Sequence, residues 1–128
     1  MDVQDLIDGY KEQPLLYISE PFSSQDLETP SVITGLASMT SLICFKKGWS
    51  VISAHKNCLG FEVDDEMSHE RWMYALSSQI AKCDAVLLLP GWERSKGTLM
   101  EIEFCKRMDI PVYDLLKDGI PDVNNFGG

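Results

Sequence analysis

The amino-acid sequence predicts a small three-layer α/β sandwich built around a parallel sheet. Three observations carry that expectation. Short apolar runs alternate with stretches of helical periodicity along most of the 128 residues. The run Ala85-Val86-Leu87-Leu88-Leu89 is apolar without interruption, as expected of a strand covered on both faces. It leads through Pro90-Gly91-Trp92-Glu93-Arg94-Ser95, a glycine- and serine-bearing turn, into a helix opening near Gly97. Strands spaced by helices need crossover connections, which place helices on both faces of a parallel sheet.

The elements follow in order. Leu15-Leu16-Tyr17-Ile18-Ser19, set between Pro14 and Pro21, reads as the first strand ending in a turn. Thr29 can cap a helix with Pro30 at its first position, after which Val32, Leu36, Met39 and Ile43 recur at helical spacing until Gly48. Trp49 to Ala54 reads as a second strand, followed by an irregular acidic segment through Asp64-Asp65-Glu66. Ser68 can cap a second helix whose stripe is Trp72, Leu76, Ile80 and Cys83. Ala85–Leu89 is the third strand, the third helix runs from about Gly97 to Met108, and Ile110 to Leu116 supplies a fourth strand. These elements make one domain over residues 1–128, with a core from about 14 to 116. Residues 117–128, whose stretch from Gly119 is rich in Gly, Pro, Asp and Asn, read as a flexible tail. No internal repeat is present.

Composition narrows the function. A net charge of −9 and a pI near 4.5 argue against a general nucleic-acid surface, which needs clustered Lys and Arg. An anionic ligand would have to be held by local donors. The four cysteines (Cys44, Cys58, Cys83 and Cys105) have no CxxC spacing, which fits a reduced cytoplasmic protein. Met1 to Tyr10 are acidic and mixed, unlike a signal peptide, and no run reaches membrane-spanning length, so no membrane partner is expected. His55-x-x-Cys58 pairs two metal-ligating residue types without a second pair, and no metal site is expected.

In an open α/β sheet, ligands bind beyond the carboxyl ends of the strands, where unpaired helix N–H groups and the helix dipole converge. That rule gathers Tyr17, Ser19 and the Pro21-Phe22-Ser23 turn, then His55, then the loop carrying Gly91, Trp92 and Ser95, and the helix start with Gly97, Thr98 and Glu101. Each has a structural rival. Thr98-x-x-Glu101 is also a capping-box pattern, in which the carboxylate bonds a backbone N–H at the helix start. Ser95 can serve as a helix cap, Tyr17 as a core tyrosine, and Phe22 and Trp92 either as walls for a base or as packing groups. Asp84 lies at the opposite end of its strand and reads as structural.

Three blocks resemble the nucleoside 2-deoxyribosyltransferase superfamily, most closely its short phage and prophage members. They are Tyr17-Ile18-Ser19-Glu20-Pro21-Phe22-Ser23, Gly48-Trp49-Ser50-Val51-Ile52-Ser53-Ala54-His55, and Cys83-Asp84-Ala85-Val86-Leu87-Leu88-Leu89-Pro90-Gly91-Trp92 with Ser95, Gly97 and Glu101. The resemblance implies a flavodoxin-like sandwich with strand order 2-1-3-4. It also implies that Glu101 attacks an anomeric carbon to form a glycosyl-enzyme ester, with Tyr17 orienting the carboxylate. The position six residues before the nucleophile separates nucleoside transferases, which carry an acid there, from nucleoside 5′-monophosphate hydrolases, which carry a serine. This chain has Ser95, flanked by Arg94 and Lys96. The family's second carboxylate, eight residues before the aspartate matched by Asp84, is replaced by Leu76, so that a proton donor such as Glu70, His55 or Asp64 would have to be borrowed.

The sequence therefore points to a nucleotide-binding N-glycosidase or (deoxy)ribosyltransferase acting on a nucleoside 5′-monophosphate without a cofactor. The alternative is a catalytically lapsed nucleotide-binding, sensing or host-interaction module, favoured by Leu76. Apolar residues on more than one face of the first two helices, including Met39, Leu42, Phe45, Trp72 and Met73, predict a homodimer or larger homo-oligomer.

Overall fold

A computed structural model of the chain describes residues 1–21, 30–53 and 69–126. The elements are α1 (Val3–Gly9), a 3₁₀ turn (Tyr10–Glu12), β1 (Leu15–Ser19), α2 (Pro30–Lys46), β2 (Ser50–Ser53), α3 (His69–Ile80) and β3 (Ala85–Leu88). There follow a 3₁₀ turn (Trp92–Arg94), α4 (Lys96–Arg107), β4 (Val112–Asp114), α5 (Leu115–Asp118) and a last 3₁₀ turn (Val123–Asn125). The four strands form one parallel sheet in the order β2-β1-β3-β4. This is the flavodoxin-like three-layer sandwich expected from the sequence.

Alternation along β1 divides the core into two layers. Leu16 and Ile18 face one side, where they pack with Ala37 and Cys44 of α2, Trp49, and Ala85 and Leu87 of β3. Tyr17 faces the other, against Leu76 and Ile80 of α3, Val86 and Leu88 of β3, and Cys105 of α4. In the ladder Tyr17 sits between Ile52 and Val86, so that face of the central strand is apolar from edge to edge. The expected stripe of α3 is correct, with Leu76 and Ile80 buried and Cys83 closing the layer just beyond the helix.

Two residues of the stripe expected on α2, Met39 and Ile43, are turned outward. They are 67% and 44% exposed, and the face against the sheet is Ala37, Thr40 and Cys44. The helix is apolar around most of its circumference, so spacing does not select a face, and small side chains allow the closer approach to the sheet.

Two further differences concern the carboxyl end. The fourth strand stops at Asp114 because that side chain accepts from the Leu116 amide and caps α5, which turns Leu115 and Leu116 out of the ladder. The segment read as a flexible tail is docked as far as Phe126. Ile120, Val123 and Phe126 pack on the α2-side core. The Trp49 indole N–H donates to the Pro121 carbonyl at 2.9 Å, and its ring meets that of Phe126 at 5.2 Å. A buried Trp requires an acceptor for its N–H, and the tail supplies it.

At the other terminus, α1 forms on a reciprocal cap in which Asp5 N–H donates to Asp2 and Asp2 N–H to Asp5. It buries none of its residues. The caps expected at Thr29 and Ser68, residue Ala54 and the acidic segment around Asp64 lie outside the described residues.

Candidate active site

The site is centred on the carboxyl ends of β1 and β3. The strands exit side by side, with the Leu89 amide donating to the Ser19 carbonyl at 3.1 Å. Helix α2 lies on one face of the sheet and α3 and α4 on the other, so the chain departs from β1 and β3 toward opposite faces. That divergence opens the crevice in which α/β sheets bind ligands. Gly91, with φ +95°, makes the turn after β3, and a side chain there would come 3.5 Å from the Pro21 ring in the loop after β1. Pro21 and the turn after β3 are thus in direct apposition.

Glu101 is the chemically distinctive group. It lies in the second turn of α4, only 5% exposed, and its Oε2 accepts from the buried Ser19 hydroxyl at 2.9 Å. Burial pushes its carboxyl from the ordinary 4.5 up to about 7, the Ser19 donation opposing that rise in part. The capping-box reading of Thr98 and Glu101 is overturned. The cap of α4 is Ser95, whose Oγ accepts from the Thr98 amide at 3.2 Å and the Thr98 hydroxyl at 3.0 Å. Glu101 stands a turn beyond the orphan amides and faces β1 instead.

Ser95 performs the capping role and still keeps its own hydroxyl proton, since both of those bonds are accepted. Together with the first amides of α4 it makes a donor-rich helix N-terminus at the mouth of the β3 loop. Thr98, 3% exposed, serves this cap rather than facing outward. Gly97 lies where α4 meets α3, since a side chain there would approach the Met73 sulfur at 3.6 Å. Trp92 packs partly on the α3–α4 core, and its indole N–H donates to Asp114 Oδ2 at 3.0 Å. Tyr17 is buried on the same face as Ser19, in the layer that holds Cys105, the residue one turn after Glu101. Phe22, Ser23, His55 and Cys58 lie outside the described residues.

Ser19 aside, sequence reasoning missed three polar residues of the strand ends, Glu20, Ser53 and Asp114. Ser19 was gathered into the crevice as a ligand contact and proves to be the direct partner of Glu101. Glu20, the next residue, accepts from the hydroxyl of Ser53, the last residue of β2. Asp114 closes β4, bonded through both carboxylate oxygens to Trp92 and Leu116. The carboxyl-end rule would have found Glu20 and Ser53 had it been applied to every strand-terminal polar residue; Asp114 was hidden inside an overlong strand.

Asp84 behaves as its place predicts, accepting from the Leu15 amide at 2.7 Å at the amino end of the sheet. Cys105, one turn beyond Glu101, is a thiol pushed up to about 11, first by burial and then by the Glu101 charge. Cys44, Cys83 and Cys105 are all buried and free. Among the described residues no group of three or more His, Cys, Asp or Glu is placed to hold a metal ion.

A family model described as Domain of unknown function (DUF4406) matches residues 41–114, more than half of the chain, from the middle of α2 to the end of β4. The matched span includes Ser53, Trp92, Ser95 and Glu101. No curated protein matches the chain.

Proposed function

The chain belongs to the DUF4406 family, and we propose that it binds a nucleoside 5′-monophosphate at the ends of β1 and β3 and breaks its N-glycosidic bond with Glu101 as nucleophile. The observation that carries this reading is the buried Glu101 carboxyl, held by Ser19 beside the Ser95-capped start of α4. A carboxyl poised near neutrality in a desolvated crevice has the character of a reacting group rather than a solvated surface charge.

The residues divide the work. The ionised Glu101 oxygen attacks the anomeric carbon and gives a glycosyl ester, which water or a second base resolves. Ser19 holds that carboxylate in one orientation, a task the family resemblance gives to Tyr17, buried on the same face. Ser95 and the first amides of α4 receive the phosphate, because a neutral hydroxyl at a helix N-terminus suits an anion where an acid would repel it. Trp92, anchored by Asp114, or Phe22 supplies a wall for the base.

The test is incubation with a panel of nucleoside 5′-monophosphates and nucleosides, following free base by chromatography. Glu101→Gln should abolish base release with nucleotide affinity nearly intact, because the lost interaction belongs to the transition state. A second reading, a nucleotide sensor without turnover, is favoured by Leu76, which is 7% exposed and packed in the core where the resemblance calls for an acid. Tight binding with no base release from any member of the panel would establish the sensor in place of the enzyme.

The proposal extends to assembly and compartment. Met39, Leu42 and Phe45 are 67%, 54% and 68% exposed on α2, an apolar face suited to a second copy of the chain. Trp72 and Met73 do not join it, being half-buried against the core and α4 respectively. No helix among the described residues is long and apolar enough to cross a membrane. The buried free thiols and acidic composition support a reducing, cytoplasmic setting.

A further inference from the structure

We propose that Glu20 is the second carboxylate of the reaction, donating the proton to the departing base and then accepting one from the water that resolves the ester. This rests on the N-glycosidic reading of Glu101.

Two consecutive residues at the end of the central strand reach in different directions. Ser19 donates across to Glu101 on the α3–α4 side. Glu20 is bonded by Ser53, which ends β2 and is 7% exposed. Ile18 and Ser53 are ladder partners, so Glu20 stands over the junction of β1 and β2 while Glu101 lies under Ser19. The end of β1 is therefore flanked by two carboxyl groups, each fixed by a serine hydroxyl. Glu101 is almost fully enclosed, whereas Glu20 is half-buried.

Glycosidic cleavage through a carboxylate nucleophile needs this division of labour, one group at the anomeric carbon and another at the leaving group. Among the described residues Asp114, Glu70 and Glu93 are less suited to the role. Asp114 accepts through both oxygens, from Trp92 and Leu116, while Glu70 and Glu93 are exposed. Leu76 offers only hydrocarbon to the core.

The steps balance. A Glu101 oxygen bonds to the anomeric carbon as the C–N bond breaks, its electron pair leaves on the base, and the Glu20 carboxylic acid protonates that base. Water then attacks the same carbon while Glu20 takes its proton, and the ester C–O electrons return to Glu101.

The experiment compares pre-steady-state base release by the full chain and its Glu20→Gln, Glu20→Asp and Glu101→Gln variants from two substrates. Guanosine 5′-monophosphate has a base that needs a proton to leave; 7-methylguanosine 5′-monophosphate carries a cationic base that leaves without one. Glu20→Gln should slow the burst from the unmodified nucleotide by about 10²–10⁴-fold. It should leave the 7-methylguanine burst within a few fold of wild type and slow only the turnover that follows. Glu20→Asp, which retains an acid, should recover part of the loss. Equal slowing of both bursts would make Glu20 a sugar or structural contact and overturn its role, as would no slowing of either. In both cases a wild-type protein that releases base and an inactive Glu101→Gln leave the N-glycosidic reading standing. Absence of base release by wild type from either nucleotide removes the reading and the role of Glu20 with it.

Discussion

Replacing Glu101 with Gln should make the protein more stable at pH 8 and leave it nearly unchanged at pH 5. The Glu101 carboxyl keeps its proton up to about pH 7 in the folded chain, whereas its ordinary value is 4.5. Between those values the folded state binds a proton that the unfolded state has released, so wild-type stability falls as pH rises from 4.5 to 7 and then levels off. A separation of that size corresponds to about 3 kcal/mol of lost stability by pH 8. Gln is close to isosteric with the protonated acid and can still accept from Ser19, but it never ionises, so the variant does not incur this loss. Urea unfolding of both proteins at pH 5 and pH 8 measures the effect. The difference between variant and wild type should grow by about 2–3 kcal/mol from the lower pH to the higher, other titrating groups cancelling between the two. A difference that is the same at both pH values would refute the claim that Glu101 titrates in a desolvated site. Greater stability of the wild type at pH 8 would mean that its carboxylate is better solvated by donors than the Ser19 contact implies.

Four other outcomes are expected. Ser95→Asp keeps a good helix cap but sets a negative charge beside a bound phosphate, so calorimetry should show monophosphate affinity falling by about tenfold or more with nucleoside affinity spared. Base release should rise with pH through about 7, because only the ionised Glu101 attacks; Ser19→Ala removes the donor that opposes the upward shift, and the rising limb should move to higher pH in the rate profile. Phe126→Ala should cost about 2 kcal/mol in urea unfolding through lost contact with Trp49 and Tyr113, where a loose tail would give almost no change. Light scattering should give an assembly of at least twice the 14.4 kDa chain at high micromolar concentration, and Met39→Lys with Phe45→Lys should return it to the monomer.

The strands were legible because their signal is local: Leu15–Ser19 and Ala85–Leu88 are apolar runs bounded by turns, with no competing period. The crevice was legible for a similar reason, since topology alone sends every strand's carboxyl end to one edge of a parallel sheet. Features that depend on contacts distant in sequence were not. Phe126 and Pro121 are held by Trp49, more than 70 residues away, and a Gly/Pro/Asn-rich composition carries no trace of that partner. The inward face of α2 is chosen by how closely Ala37 and Cys44 approach the sheet, which an all-round apolar helix does not announce. The direction of Glu101 was ambiguous for a different reason. A carboxylate three residues after a threonine satisfies the capping pattern, and only the earlier start of α4 at Lys96 moves it past the cap and onto Ser19.

That displacement by one turn also bears on why the residue is a glutamate. A helix that merely covered β3 would place an apolar residue at this inward position, as α3 does with Leu76 and Ile80 and α4 itself does with Cys105. Glu101 instead puts an ionisable group where burial opposes its charge, and the Ser19 hydroxyl that donates to it is neutral. The fold gains nothing from this that an apolar side chain would not give more cheaply, and the cap of α4 is already supplied by Ser95. The group becomes useful only if a ligand enters the crevice, since a partly protonated, desolvated carboxyl is then a more reactive nucleophile and proton carrier than a solvated one. The stability measured at pH 8 and the rate measured through pH 7 are thus two consequences of one desolvated proton. A variant series at positions 19 and 101 should move them together: whatever raises the Glu101 carboxyl further destabilises the ionised folded state and shifts the reaction to higher pH by the same interval. If the stability transition moves while the rate profile stays fixed, Glu101 is a strained structural residue and the nucleophile lies elsewhere.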